Sequence, residues 1–352
     1  LQKANPKGNI SISHALLLDG SLERAAIPAA TPSRQRGVSF GAPIDPFAPT
    51  IFHERWWLDV ATNGTCRFAE VRHNGLLVGR LPYFTRKRPL QGTAIDQPPL
   101  THFLGPAILE SDGKESSRFL RRLDITRGLI EQLPSVSFTY VKCHRDITDV
   151  ISFQSCNFRT SVQFTHEIEP QQIDAVWKNM RDKGRNNIRQ GQRTVIVDRT
   201  LSPRRFSEFY LENIRSRGQS NHMDLDVCGR LIEAAVARER GLIFAARNAA
   251  GAIVAAIFCV WDQRSYYYLM STRMESADRG AISLLLWEAI NDSMKRGLVF
   301  DFDGVPDEGS ARLFANFTPI AKPRYIAIRE TKLGRIMTAC KAAIRPPSPF
   351  YR

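Results

Sequence analysis

Val299-Phe300-Asp301-Phe302-Asp303-Gly304 sets two carboxylates in a short apolar run, and Glu308, Arg312, Phe314 and Phe317 follow it. The run predicts a buried strand, then a turn, then a helix with aromatic anchors. Alternation along a strand puts Val299, Asp301 and Asp303 on one side and Phe300 and Phe302 on the other. Two acids so close, flanked by Phe and Val, must be wet or share a basic partner, because desolvation and mutual repulsion raise one pKa. A carboxylate tuned in this way can take a proton from an amine near neutral pH. A plainer reading fits the same residues, an Asp at a strand end capping the next helix.

Working back from this strand, residues 242–247, 253–261 and 265–271 read as three strands. They are joined by the tight turns Asn248-Ala249-Ala250-Gly251 and Asp262-Gln263-Arg264. A helix over 280–296 turns Ile282, Leu285, Leu286, Ala289 and Ile290 to a core, and Gly297 ends it. Helices are expected at 203–216, 227–240 and 307–317, and strands at 195–197 and 325–328. Tyr266, Tyr267 and Tyr268 straddle both faces of their strand, so at least one points toward a cleft. A single helix over 172–190 carries the apolar stripe Ile173, Val176, Trp177, Met180, Gly184 and Ile188. Beside it Lys178, Arg181, Arg185 and Arg189 make a basic stripe. Arg forks take two phosphate oxygens each, so with Lys183 and Asn186 the stripe is a candidate anion rail.

In the first half, 66–71 and 76–84 alternate as strands around the turn His73-Asn74-Gly75, a hairpin signal. A helix is expected over 115–132 and strands around 136–142 and 161–168, with a seam at Pro170. Four segments result: a flexible lead-in at 1–44, an N-terminal domain at 45–170, a C-terminal domain at 171–330, and a basic helix and tail at 331–352.

With 352 residues, 43% of them apolar and 24% charged, the chain reads as an ordinary globular protein of two domains. Its net charge of +14 is concentrated: residues 178–205 and 322–352 each carry a net +7. Such patches favour phosphate-bearing partners. No apolar run reaches the roughly 18 residues of a spanning helix. Cysteines 66, 143, 156, 228, 259 and 340 lack metal-ligand spacing, and the seven histidines form no HExxH, so no metal is expected. Dispersed thiols point to a cytoplasmic setting, with a peripheral inner-membrane location in view of the basic tail.

The segments Trp177-x-x-Met180-x-x-Lys183-x-Arg185-Asn186-x-Ile188-Arg189, Arg296-Gly297-x-x-x-Asp301-Phe302-Asp303-Gly304 and Phe314-x-x-Phe317, with the Gly251 turn, carry a resemblance. In this order they resemble the GNAT acetyltransferase superfamily, and within it the FemAB-like branch related to the FemABX peptidoglycan aminoacyltransferases. Trp56-Trp57-Leu58, Gly79-x-Leu81-Pro82-Tyr83 and Pro98-Pro99-Leu100-Thr101-x-x-Leu104-Gly105-Pro106 look like that branch's companion domain. The resemblance spans roughly residues 45 to 330. It implies an α+β chain of tandem GNAT-like domains, each a mixed, mostly antiparallel central sheet flanked by helices.

The resemblance further implies an N-acyltransferase that moves an acyl group from acyl-CoA to an amine by direct attack. The acceptor would be a sugar, a cell-envelope precursor or another small amine. The alternatives are an aminoacyl-tRNA-dependent aminoacyltransferase and a non-catalytic binding protein of the same fold. The donor is then a co-substrate and no cofactor is tightly bound. Asp301 or Asp303 would accept the proton, Tyr267 would hydrogen-bond an acceptor or a leaving group, and backbone N–H groups near its strand would polarise the carbonyl. The superfamily holds pyrophosphate on an Arg/Gln-x-x-Gly-x-Gly/Ala loop at a helix start, reduced here to Arg279-Gly280-Ala281, with Ser271 nearby. Lys183, Arg185, Asn186 and Arg189 would hold further phosphates, and 331–352 would meet tRNA or an anionic membrane. The branch's Phe-Gly is replaced by Phe317-Thr318-Pro319.

Overall fold

Asn74 and Gly75 take positive φ at both turn positions, 50° and 81°, which suits a two-residue hairpin. They join β1 (Arg67–His73) to β2 (Leu76–Arg88). The computed structural model describes residues 45–88, 92–218, 224–332 and 334–335, and the Arg279 side chain is outside that set. The expected lead-in at 1–44 and nearly all of the expected basic helix and tail also lie outside the described residues.

The first half begins with α1 (Arg55–Thr62) and continues after the hairpin with β3 (Gly92–Asp96), β4 (Ala107–Ile108) and α2 (Glu115–Glu131). It closes with β5 (Phe138–Lys142), α3 (Ile151–Ser155) and β6 (Arg159–Ile168). The second half runs α4 (Ile173–Asn179), α5 (Asp182–Thr194), β7 (Ile196–Asp198), α6 (Pro203–Ser216), α7 (Leu225–Ala237) and β8 (Gly241–Arg247). It ends with β9 (Ile253–Trp261), β10 (Ser265–Arg273), α8 (Arg279–Arg296), β11 (Val299–Asp301), α9 (Glu308–Phe314) and β12 (Ile320–Glu330).

Local chemistry accounts for most of these boundaries. Ser202 caps α6 by accepting from Arg205 N, and Pro203 takes the first helical position. Gly297, at φ 68°, stops α8 in the left-handed conformation. The helix expected over 172–190 is in fact two. At the break, Arg181 N donates to Asn316 O, and the Arg185 guanidinium donates to the carbonyls of Trp177, Lys178 and Met180. A tertiary contact and a side chain thus absorb the groups that a continuous helix would have paired.

The strands form one mixed, mostly antiparallel sheet in the order β1-β2-β3-β5-β12-β6-β11-β10-β9-β8-β7, with β4 added beside β2. Only β3·β5 and β10·β11 pair in parallel among these strands. The α+β architecture matches expectation, but the two halves share one sheet instead of each holding its own. The expected seam at Pro170 therefore falls beside a central strand. In the second half, every residue of β9 is buried, because α8 covers one face and α6 and α7 the other.

The halves repeat one another. Each has three antiparallel strands, a helix, a strand added in parallel, a short helix and a last strand. β1-β2-β3-α2-β5-α3-β6 in one matches β8-β9-β10-α8-β11-α9-β12 in the other. The last strands are exchanged: β6 sits beside β11 of the second half and β12 beside β5 of the first. They then pair with each other, from Ile320 opposite Glu167 to Ile328 opposite Arg159.

Each parallel pair also splays apart, with different results. In the first half, pairing stops after Ile95 and Thr139, and the chain returns to fill the gap. Leu104 N donates to Lys142 O at 2.8 Å, and His144 N to Leu104 O at 2.8 Å. In the second half, pairing stops after Tyr267 and Asp301, and β10 runs on to Arg273 paired only with β9.

Candidate active site

Where β10 and β11 part, the two acids meet very different surroundings. Asp301 is 1% exposed and fully engaged. Its Oδ2 accepts from Arg324 Nη2 at 2.9 Å, and its Oδ1 accepts from Thr165 Oγ1 at 2.5 Å and from Asp303 N at 2.8 Å. Arg324, itself 4% exposed, also pairs with Glu167, which Arg145 reaches from its other side at 3.2 Å. Burial works against the charge on Arg324, yet Asp301 and Glu167 hold its pKa above the usual value. Arg324 comes from β12, Glu167 from β6 and Asp301 from β11, so this cluster pins the exchanged strands together. The expectation that Asp301 accepts a proton from substrate is corrected accordingly: its oxygens are committed to a buried ion cluster.

Asp303 lies two residues beyond the end of β11, at φ 58°, a left-handed conformation that Asp tolerates better than most residues. The hydrogen bond from its N–H back to Asp301 holds that turn, and Gly304 N donates to Thr165 Oγ1 at 2.9 Å. Its carboxylate is 1% exposed, and Oδ2 meets His102 Nδ1. Neither Oδ1 nor Oδ2 has a hydrogen bond among the described residues, so the His102 contact is a close ion-pair approach. Burial raises the Asp303 pKa, His102 and Lys142 pull it down, and Asp301 adds to the rise. Lys142, from β5, is itself lowered by burial, against the pull of Asp303 and Asp301.

His102 was not among the residues the sequence singled out. It sits in the 97–106 connection that fills the first half's gap. Its side chain is 30% exposed and its ring stacks on Phe52 at 6.0 Å and 14°. Its neighbours hold it firmly. Thr101 Oγ1 accepts from Trp57 Nε1 at 2.9 Å, and buried Phe103 faces Lys142 at 4.8 Å and Arg324 at 5.2 Å.

The β10 edge supplies backbone. Register shifts between Tyr268 and Met270, so Leu269 has no partner opposite it on β9. Such a bulge re-aims a peptide group away from the ladder. Tyr267, expected at the cleft, is instead a core residue: its hydroxyl donates to Asp262 Oδ2 at 3.0 Å and its ring packs on Phe52. Ser271 is at the exposed end of β10, within reach of the Tyr268 hydroxyl.

The start of α8 is crowded. Asp278 caps it, accepting from Gly280 N at 2.6 Å. A methyl group on Gly280 would come within 2.5 Å of both Asn187 O and Gly191 N of α5, and one on Gly191 within 2.6 Å of Gly280 O. Ala281 is fully buried behind them. On α5, Arg185 is spent on the end of α4 and on Asp182, so it is not the expected phosphate fork. Arg189 lies over Trp177 at 5.5 Å and donates to Asn186 Oδ1, while Lys183 is exposed.

Residues 175–309 match a family model described as an acetyltransferase (GNAT) domain. Residues 175–309 thus carry a GNAT acetyltransferase domain. Among solved structures, the crystal structure of FemX is similar at 12% identity, over 77% of this chain and 90% of that one, with a TM-score of 0.58. The C-terminal domain of a putative lysylphosphatidylglycerol synthetase from Agrobacterium fabrum is similar at 11% identity, over 81% and 91%, with a TM-score of 0.50. At such identities the likeness is one of fold. No curated protein matches the chain in sequence.

The GNAT match takes in β10, α8 and Asp303, but neither of the exchanged strands and not His102. A GNAT domain implies an acyl donor as co-substrate. The start of α8 does not fit the pyrophosphate of coenzyme A. A carboxylate already occupies the cap, and α5 lies against the glycine where a phosphate would have to approach.

Proposed function

We propose that the protein is an N-acyltransferase whose reaction centre is the parting of β10 and β11. The observation that carries this reading is the buried Asp303 carboxylate set against the partly exposed His102 ring, beside the stretch of β10 that is paired only with β9. An amine attacks the acyl carbon directly, a carboxylate–imidazole pair takes its proton, and a peptide N–H at the Leu269 bulge receives the developing oxyanion. No nucleophile elbow is present in the sequence, which favours direct attack over a covalent intermediate.

Of the two donors, the crowding at α8 favours aminoacyl-tRNA over acyl-CoA. The exposed cations Lys178, Arg181, Lys183 and Arg193, on α4, on α5 and at the break between them, suit a phosphate-rich carrier. The acceptor is a small or saccharide-linked amine. The test incubates the full chain with labelled aminoacyl-tRNA or acetyl-CoA and a panel of amino sugars and lysine-bearing peptides, with mass spectrometry as the readout. The expected result is an N-acylated acceptor formed from tRNA, with a rate that falls steeply as salt rises. A product from acetyl-CoA alone would overturn the donor assignment. No product from any pair would overturn the transferase reading.

A further inference from the structure

We propose that the group touching the acceptor amine is His102, supplied by the N-terminal half, and that Asp303 is its positioning residue. The inference rests on the transferase reading above and names the base of that same site. A carboxylate with 1% of its side chain exposed cannot itself meet an acceptor, whereas the imidazole that contacts it is 30% exposed. Asp303 Oδ2 lies against Nδ1, and a carboxylate there selects the tautomer with its proton on Nδ1, leaving the lone pair of Nε2 for the acceptor. The stacked Phe52 ring, and the Thr101 and Leu104 hydrogen bonds on either side, hold the imidazole plane.

The placement of this residue follows from the repeat. The 97–106 connection closes the gap between β3 and β5, where the first half would otherwise splay as the second does. In doing so it carries His102 across to the tip of β11. One segment therefore shuts one of two equivalent openings and equips the other, leaving a single site built from both halves.

In the step itself, the amine nitrogen bonds to the acyl carbon and the bond from that carbon to the carrier oxygen breaks. The amine proton passes to His102 Nε2, and the imidazolium returns it to the departing oxygen, so no charge or electron is left over.

The experiment uses the full chain with the donor that passes the transfer assay. His102→Ala should lower kcat about 10²–10⁴-fold with little change in KM or Tm, and added imidazole should restore part of the rate. Asp303→Asn should lower kcat on the order of 10³–10⁴-fold, because an amide donor forces the proton onto Nε2. Nitrogen-15 NMR of histidine-labelled protein should read His102 as the Nδ1–H tautomer in the wild type and as Nε2–H in Asp303→Asn. Activity within twofold of wild type in His102→Ala, or an Nε2–H tautomer in the wild type, overturns the proposal while leaving the transferase reading intact. A wild-type chain that transfers nothing overturns the transferase reading, and the tautomer then still reports whether Asp303 positions His102.

Discussion

Replacing Arg324 with Met removes a guanidinium on which the two exchanged strands converge. The residue is 4% exposed, and the carboxylates it leaves behind, Asp301 and Glu167, are each 1% exposed. Removing one partner from a buried ion pair costs about 3–5 kcal/mol, most of it the penalty of a stranded charge. Arg145 remains 3.2 Å from Glu167, and the Thr165 hydroxyl and Asp303 N–H remain on Asp301. These survivors put the expected loss in the lower part of that range, about 3 kcal/mol, or roughly 4 °C of Tm for a chain of this size. Urea unfolding followed by tryptophan fluorescence gives the free energy. A cycle with Asp301→Asn isolates the coupling, expected at about 1–3 kcal/mol. A loss under about 1 kcal/mol, or strictly additive variants, would refute the view that this cluster fastens the strand exchange.

Three further outcomes are expected. Gly280→Ala and Gly191→Ala should each cost about 1–3 kcal/mol, since either methyl meets backbone across the α5–α8 crossing, and together they should cost less than their sum. Unchanged melting with weakened nucleotide binding would instead mark a phosphate cradle. Burial raises the Asp303 pKa, so between the unfolded value of about 3.9 and its raised folded value the fold retains a proton that the unfolded chain releases. Stability contributed by this group is thus present at low pH and lost as pH rises through that window. Asp303→Asn should accordingly match wild type below about pH 4 and exceed it near neutrality, and Tm measured across pH checks this. His53 and His144, buried edge to face at 5.1 Å, both have pKa values lowered chiefly by desolvation. Their contribution is complete above about pH 6.5 and is lost as pH falls through their lowered values, so acid unfolding should soften in His144→Gln.

Strands such as Ile253–Trp261 and helices such as Pro203–Ser216 are legible in the sequence because local signals agree there. An unbroken apolar run between turns marks the first, and Ser202-Pro203 with an apolar stripe marks the second. The break between α4 and α5 is not legible, since it depends on Asn316, far along the chain. The acid pair at 301 and 303 can be found from alternation, but its division of labour cannot. Burial commits one acid to Arg324 and turns the other to His102, and both partners come from other parts of the chain. His102 falls at an unspecified position inside the Pro98-to-Pro106 motif, and no period or spacing singles it out. Arg185 looked like a phosphate ligand because sequence shows its charge and not the three carbonyls it covers.

Because β12 completes the first half and β6 the second, neither half can finish alone. During synthesis the nascent N-terminal half must wait, with the flank of β5 exposed, until residue 330 has emerged. Chaperone dependence should therefore peak late in translation, and cutting the gene at the apparent boundary near residue 170 should give two insoluble fragments that become soluble only when made together.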